Sequence, residues 1–174
     1  MASGRYKPKT QLLLVGGIVF VSVMALIGAA ILYPGPLGIK QPIPFSHRVH
    51  AGKKEISCLM CHPHPLTRAV AGIPPVETCM FCHIRIIIHY PPIEEIHQHY
   101  REHEPILWHR VSDLPDFAHF NHGVHMTAGF ECGHCHGDVR AMDRIILYQS
   151  FKMGFCIQCH REHKATIDCF ACHY

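Results

Sequence analysis

Five copies of the pattern Cys-x-x-Cys-His constrain this chain more than any other feature, and together they use all ten of its cysteines. Cysteines at i and i+3 lie on one face of a helical turn, and the His at i+4 adjoins the second of them. This is the attachment pattern of c-type haem, in which two cysteines form thioethers and the His binds the iron. Motifs 1 to 5 are, in chain order, Cys58/Cys61/His62, Cys79/Cys82/His83, Cys132/Cys135/His136, Cys156/Cys159/His160 and Cys169/Cys172/His173.

Two other uses of paired cysteines fit this pattern less well. Zinc ribbons take two Cys-x-x-Cys pairs per metal ion, and five pairs cannot be divided evenly. Disulfides are typical of small secreted domains, but they give no reason for a His after every pair. The sequence therefore predicts five covalently attached haem c groups as its cofactors.

One apolar stretch, Leu12 to Tyr33, is long enough to cross a bilayer as a helix. The alternative is a cleaved signal peptide, whose apolar region is usually only about 7–15 residues long. Arg5, Lys7 and Lys9 precede the stretch, so the positive-inside rule predicts a single-pass protein of the bacterial cytoplasmic membrane. The rest of the chain is then periplasmic, on the side where c-type haem is attached.

Charge along the chain argues against a nucleic-acid partner. Outside the basic N-terminal end, the remaining 13 basic residues equal the 13 acidic residues. Haem propionates would make the assembled domain moderately acidic, which repels rather than attracts a phosphate backbone.

The chain divides into three predicted parts. Residues 1–33 are a basic N-terminus and a transmembrane anchor helix, 34–44 are a Pro-rich, stiff linker, and 45–174 are a pentahaem cytochrome c domain. Similar segments, Phe45–His50 and Phe120–His125, precede motifs 1 and 3 and indicate an internal duplication. The predicted halves are residues 45–112, with two haems, and 113–174, with three.

The stretch between motifs 2 and 3 contains one predicted helix. Pro91 opens it and Pro105 ends it, and Ile93, Ile96 and Tyr100 recur at the spacing of a buried stripe. Its opposite face is predicted to be solvated, and it carries Glu94, Glu95, His97, His99, Glu102, His103 and Glu104.

The predicted fold class is a small, haem-packed multihaem cytochrome c with one N-terminal transmembrane helix. Frequent Pro and Gly and the short gaps between motifs favour a few short α-helices, on the attachment motifs, and mostly irregular chain. With about 28 residues per haem, stacked macrocycles must supply the apolar contacts that side chains normally provide. The domain is not expected to fold without haem.

The second axial ligand of each haem decides whether it binds substrates or only transfers electrons. His47, His50, His122 and His125 are the strongest candidates, because each pair stands just ahead of a haem motif. This arrangement resembles class III multihaem cytochromes, in which the two His of His-x-x-His serve different haems. For a fifth distal ligand the candidates are Met142, Met153, His64, His89, His109, His119 and His163.

Five stretches carry a family resemblance that covers nearly all of residues 43–174. They are Trp108–His125, Cys132–Met142, Met153–Arg161, the segment 45–52 and the Ala-Gly-Ile-Pro run at 71–74. With the single N-terminal helix, they resemble the pentahaem cytochrome subunit (ActA type) of bacterial alternative complex III. The family often has a His where Ser112 stands, so any ligand from that position must be replaced here, and the nearby His109 and His119 are the candidates for it.

The resemblance implies an electron-transfer subunit of a respiratory or photosynthetic complex that oxidises menaquinol. Its implied partners are iron–sulfur and multispanning subunits, a monohaem cytochrome, and a periplasmic carrier such as a cytochrome c or a blue copper protein. The chain itself is then non-catalytic, and it positions and tunes its cofactors.

Two other functions are weighed against this one. A self-contained, membrane-anchored quinol dehydrogenase feeding a periplasmic reductase would share the anchor but would need its own quinol pocket. A reductase of nitrite or hydroxylamine would need an open haem, often with a Lys ligand, and no Cys-x-x-Cys-Lys occurs in the sequence.

Overall fold

The computed structural model of the chain describes residues 8–32 and 38–174, which belong to two compact units, residues 1–36 and 37–174. The first unit contains helix α1 (Pro8–Leu32). Its segment Gln11–Ala29 has a mean hydropathy of 2.6 and is long and apolar enough to span a membrane, as a signal sequence also can be. The predicted basic N-terminus up to residue 7, the end of the predicted span at Tyr33 and the linker residues 34–37 lie outside the described residues.

The second unit consists of short helices joined by irregular chain, and residues 38–174 contain no strand. Its α-helices are α2 (Cys58–Cys61), α3 (Val76–His83), α4 (Pro91–Glu102), α5 (His122–Thr127), α6 (Cys132–His136) and α7 (Met153–Glu162). It also has a π-helical turn (Arg48–Lys53) and two 3₁₀ turns (Val139–Ala141 and Cys169–Ala171). The first cysteine of every attachment motif lies on one of these helical segments, which confirms the prediction of short helices and irregular chain.

Local side chains explain why helical turns start at some of the motifs. The Ser57 hydroxyl accepts the backbone N–H of Leu59 at the start of α2, at 3.3 Å. The Asp168 carboxylate accepts the N–H of Phe170 at motif 5, also at 3.3 Å. Both are N-cap contacts, which stabilise the first turn of a helix. Helix α6, which carries motif 3, ends at Gly137. The φ of this residue is 70°, in the left-handed region that disfavours any residue with a side chain.

A small side-chain core lies between α3 and α4. Cys79 of motif 2 and Trp108 pack against it while remaining partly exposed. The core therefore supports motif 2 directly. Its buried members are Ile43, Val76, Met80, Ile93, Ile96 and Ile106.

Helix α4 confirms the predicted helix, with corrections. It ends at Glu102, before Pro105, because His103 adopts a left-handed conformation with φ 55° and caps it. Tyr100 is 38% exposed, since α3 has only eight residues and does not cover all twelve of α4. His97 is not on a solvated face, because its Nε2 contacts the carbonyl oxygen of His83 at 2.9 Å.

The half with three motifs has no comparable core. Residues 113–174 are fully described, and none of their apolar side chains is buried. Phe170 is 78% exposed and Met153 is 65% exposed. This part of the chain therefore lacks the apolar side-chain packing that normally stabilises a fold.

Candidate haem-binding site

The ten cysteines of the motifs are all free thiols. Burial, followed by the Cys58 and Cys82 thiols, raises the pKa of Cys61. Burial, followed by the Cys61 thiol, likewise raises the pKa of Cys79. A raised pKa disfavours the thiolate, so these two partly buried thiols are less reactive than an ordinary exposed cysteine.

The His residues of four motifs are held in one tautomer by the backbone. A carbonyl oxygen can only accept, so each bonded Nδ1 must carry the proton and leaves the Nε2 lone pair free for a metal. The Nδ1–H donates to the backbone carbonyl oxygen in four pairs: His62 to Gly72 (2.7 Å), His83 to Ile86 (3.2 Å), His160 to Thr166 (2.5 Å) and His173 to Phe117 (2.7 Å).

The turn ahead of motif 1 places two imidazoles on one aromatic ring. Phe45 meets His47 edge to face, with ring centroids 4.8 Å apart, and stacks on His50 at 4.4 Å. His50 Nδ1 donates to the carbonyl oxygen of Ser46 at 2.8 Å. Both rings are therefore oriented by local contacts.

The turn ahead of motif 3 repeats this arrangement. Phe120 meets His122 edge to face at 4.9 Å and lies against His125 at 4.3 Å. His125 Nδ1 donates to the carbonyl oxygen of Asn121 at 2.8 Å, four residues earlier, as His50 does. The two similar sequence segments thus have similar side-chain geometry.

Three of these four imidazoles face the His of an attachment motif. An iron between two imidazole nitrogens, each about 2 Å away, would set the ring centroids roughly 6.3 Å apart. The observed separations match it, and the residues therefore fit a haem with two axial His ligands. The pairs are His50 with His83 (6.1 Å), His122 with His136 (6.4 Å) and His125 with His160 (6.0 Å).

His47 differs from the other three imidazoles of the two turns. Its pKa is lowered to about 4 by burial and then by the neighbouring His62 and His50. Its buried Nδ1 has no hydrogen-bond partner within residues 38–174, whereas the equivalent Nδ1 of His122 donates to Ala69. His47 is nonetheless positioned next to the His of motif 1.

Three of the predicted candidates for the fifth distal ligand lie at different places in the domain. Met153 is the first residue of α7 and largely exposed. The backbone carbonyl of Met142 accepts the N–H of Arg48 at 2.9 Å, which places this residue against the turn ahead of motif 1. His119 lies beside motif 5, where its N–H donates to Cys172 at 2.8 Å. The contacts of these residues do not identify the fifth distal ligand.

Ser112, where the resemblance implied a missing ligand, lies at a cleft beside motif 3. Cys135 and His136 line this cleft together with Tyr148 and Phe151. The imidazole of motif 3 also has that of His122 as a neighbour, with ring centroids 6.4 Å apart.

No protein-family model matches the sequence. The chain is similar to the multihaem cytochrome c subunit of menaquinone reductase from Nitratidesulfovibrio vulgaris, with 26% identity over 161 residues. The match covers 77% of this chain and 77% of the relative. The similarity supports a multihaem cytochrome c.

The loop after motif 1 is a part of this multihaem cytochrome c site that sequence reasoning missed. The carbonyl oxygen of Ala69 accepts both the N–H and the Nδ1–H of His122, at 3.1 Å and 2.7 Å. Arg68 accepts the N–H of Gly123 at 3.1 Å. Because only carbonyl oxygens take part, no residue type in the loop could have signalled this contact.

Proposed function

We propose that this chain is the electron-transfer subunit of a membrane quinone oxidoreductase and carries one haem c on each of its five motifs. The three facing imidazole pairs carry the proposal, because their spacing fits an iron with both axial positions filled. Bound haem c supplies reversible one-electron transfer. The protein supplies attachment, orientation and tuning.

In this proposal each of the four His residues of the duplicated turns is the distal ligand of one motif. His47 is the distal ligand of motif 1, His50 of motif 2, His122 of motif 3 and His125 of motif 4. Filling both axial positions excludes substrates and leaves electron transfer as the function. Met142 and Met153 remain predicted candidates for the distal position of motif 5, and a thioether there would raise that haem's potential.

The complex we propose is a quinol-oxidising one of the alternative complex III type. Helix α1 is then a retained membrane anchor, and the haem-carrying unit lies on the periplasmic side. Iron–sulfur and multispanning subunits oxidise the quinol, and this chain passes the electrons to a periplasmic carrier. The family resemblance of the stretches from residue 43 to the C-terminus supports this assignment.

A second candidate is a complex that works in the opposite direction. The relative described above is a subunit of a menaquinone reductase, so its similarity favours a chain that delivers electrons toward menaquinone. The same haem-binding residues would serve electron transfer in either direction, because the direction depends on the reduction potentials of the donor and the acceptor at the two ends of the haem array.

Purification of the native complex in mild detergent tests the proposal. We expect the chain to carry five haems and to co-purify with iron–sulfur and multispanning subunits. Reduction of the haems by a menaquinol analogue, followed by oxidation by a periplasmic carrier, supports the first candidate. Menaquinone reduction from a reduced periplasmic donor supports the second. A chain that purifies alone and is reduced by quinol would overturn both.

A further inference from the structure

The five attachment motifs are neighbours in space in an order that differs from their order in the chain. We propose that they form a single file in the order 2, 1, 3, 4, 5, with motif 3 at its centre and motifs 2 and 5 at its ends. The inference rests on the proposed function, since it requires a haem on each motif.

Motifs 1 and 2 are joined by the turn that precedes motif 1. His50 faces the imidazole of motif 2 across 6.1 Å, and His47, three residues earlier, neighbours His62 of motif 1. The thiols of the two motifs are neighbours as well, through Cys61 and Cys82. One helical turn therefore connects the first two positions of the file.

Motifs 1 and 3 meet through the loop that follows motif 1. The backbone N–H and the imidazole of His122 both donate to Ala69 of this loop, at 3.1 Å and 2.7 Å. His122 in turn faces the imidazole of motif 3. The Cys132 thiol of motif 3 neighbours the Cys58 thiol of motif 1. The two halves of the domain thus join at motifs 1 and 3, although Cys132 lies 70 positions after His62 in the chain.

Motifs 3 and 4 are joined as motifs 1 and 2 are. His122 and His125 lie on α5 and face the imidazoles of motif 3 and motif 4, at 6.4 Å and 6.0 Å. The Cys135 thiol of motif 3 neighbours the Cys159 thiol of motif 4.

Motif 5 adjoins motif 4 at the end of the file. The Cys156 thiol of motif 4 neighbours Cys172 of motif 5. The connection between them is short, and Thr166 within it accepts the Nδ1–H of His160 at 2.5 Å. The hydroxyl of Thr166 accepts the N–H of Asp168, just before motif 5, at 3.2 Å.

The order predicts where the electrons enter and leave. With a haem bound at each motif, a step along the file would move one electron between neighbouring motifs and would make or break no bond. In the quinol-oxidising candidate, the other subunits release two electrons and two protons per quinol, and the carrier takes one electron at a time. Partner subunits and carrier therefore exchange electrons at motifs 2 and 5, and motif 3 is reached only through its neighbours.

A cryo-electron microscopy map of the native complex tests the order directly, because thioether density assigns each iron to its motif. We expect the nearest-neighbour irons to follow 2, 1, 3, 4, 5. Five haems in another order, such as motif 2 beside motif 3, would overturn the inference and leave the proposed function intact. Motifs without haem would instead overturn the proposed function.

Two matched variants test the order in solution. A His→Met exchange at a distal position raises the reduction potential of the haem that it serves. That haem is then reduced first. Because its reduction removes one positive charge, the reduction potentials of the neighbouring haems fall. In a potentiometric titration followed by electron paramagnetic resonance, we expect two other low-spin signals to shift negatively in His122→Met and one in His50→Met. Equal numbers of shifted signals in the two variants would contradict the file.

Discussion

The two halves of the domain contain the same aromatic-and-imidazole turn but support it differently. In the first half, α3 and α4 enclose a small core of buried side chains, and Cys79 of motif 2 packs against it. In the second half, residues 113–174 carry three motifs and no buried apolar side chain. The difference teaches that a duplicated local geometry does not require a duplicated core when covalently bound groups can supply the apolar contacts.

The turns themselves differ in how they are anchored. The turn ahead of motif 1 is held by Asp143, which accepts from the Arg48 guanidinium at 2.7 Å and from the Ser46 hydroxyl at 2.6 Å. The turn ahead of motif 3 is held by the Ala69 carbonyl. Each anchor lies in the other half of the domain, so the halves depend on one another.

Production without haem attachment would separate the halves most strongly. We expect amides of α3 and α4 to retain part of their protection from hydrogen exchange, since a side-chain core remains there. Residues 113–174 should lose protection by at least about 100-fold, because no packing is left to oppose local unfolding. Hydrogen-exchange mass spectrometry of the apo and holo proteins measures this, and strong protection of the second half in the apo protein would contradict the comparison.

Removal of one proposed distal ligand from each half tests whether both turns supply an axial ligand to a haem. We expect His47→Ala and His122→Ala each to convert one low-spin haem into a high-spin haem, because one axial position is vacated. Optical and electron paramagnetic resonance spectra measure the spin state. His103→Ala, at the exposed cap of α4, is the matched control and should leave every haem low-spin. Unchanged spectra in His122→Ala would refute the proposed ligand.

Two glycines test how tightly the halves are joined. A Cβ at Gly52 would collide with the carbonyl oxygen of Arg140, whereas one at Gly123 meets only the Asn121 side chain at 3.2 Å and backbone atoms at 3.5 Å. We expect Gly52→Ala to lower the free energy of unfolding by about 1–3 kcal/mol. Gly123→Ala should cost less, and denaturant titration of the holo protein compares them. Equal losses would show that the Gly52 contact is not specific.

The Nδ1 of His47, which has no hydrogen-bond partner within residues 38–174, should distinguish the haem potentials of motifs 1 and 4. Both imidazoles that we assign to motif 4, His125 and His160, donate their Nδ1–H to a carbonyl oxygen. Loss of an outer hydrogen bond typically weakens metal binding 10–100-fold, equivalent to about 60–120 mV for a one-electron couple. A weaker donor favours the less charged reduced iron, so we expect motif 1 to have the higher potential. Potentiometric titration, with signals assigned from the His47 and His125 variants, measures the order. A higher potential at motif 4 would contradict it.

The smallest expected effect concerns Asp143. Hydrogen bonds from Arg48 and then Ser46 lower the pKa of its carboxyl. A depressed pKa contributes stability above the unfolded value of about 3.9, and this is lost as pH falls through the folded pKa. Asp143→Asn should therefore reduce the thermal midpoint slightly at pH 7 and not at pH 2.

The exposed pair of Asp113 with Arg110 provides the control for Asp143, through Asp113→Asn. Exposed ion pairs between neighbouring residues contribute little, so the thermal midpoint should change less than in Asp143→Asn. An equal change of the thermal midpoint in both variants at pH 7 would show that the contacts of Asp143 with Arg48 and Ser46 contribute no more than an exposed ion pair.

Much of the local structure of the candidate site could be predicted, because each attachment motif occupies about one helical turn. The helix from Pro91 followed from its proline and its isoleucine spacing. The failures at Tyr100 and His97 have one cause: the length and position of α3 decide which side chains of α4 are covered, and no local pattern encodes that. Burial of one helix face depends on its neighbour.

The sequence by itself determined the chemistry: five pairs of thiols, each followed by an imidazole, and two turns that offer further imidazoles. Tertiary structure alone decided the pairing of imidazoles and the order of the motifs in space. The reason is that those relations depend on hydrogen bonds to backbone carbonyls, such as His122 to Ala69, which residue types do not reveal. It also decided that the second half lacks a core of its own, because burial depends on how distant segments pack.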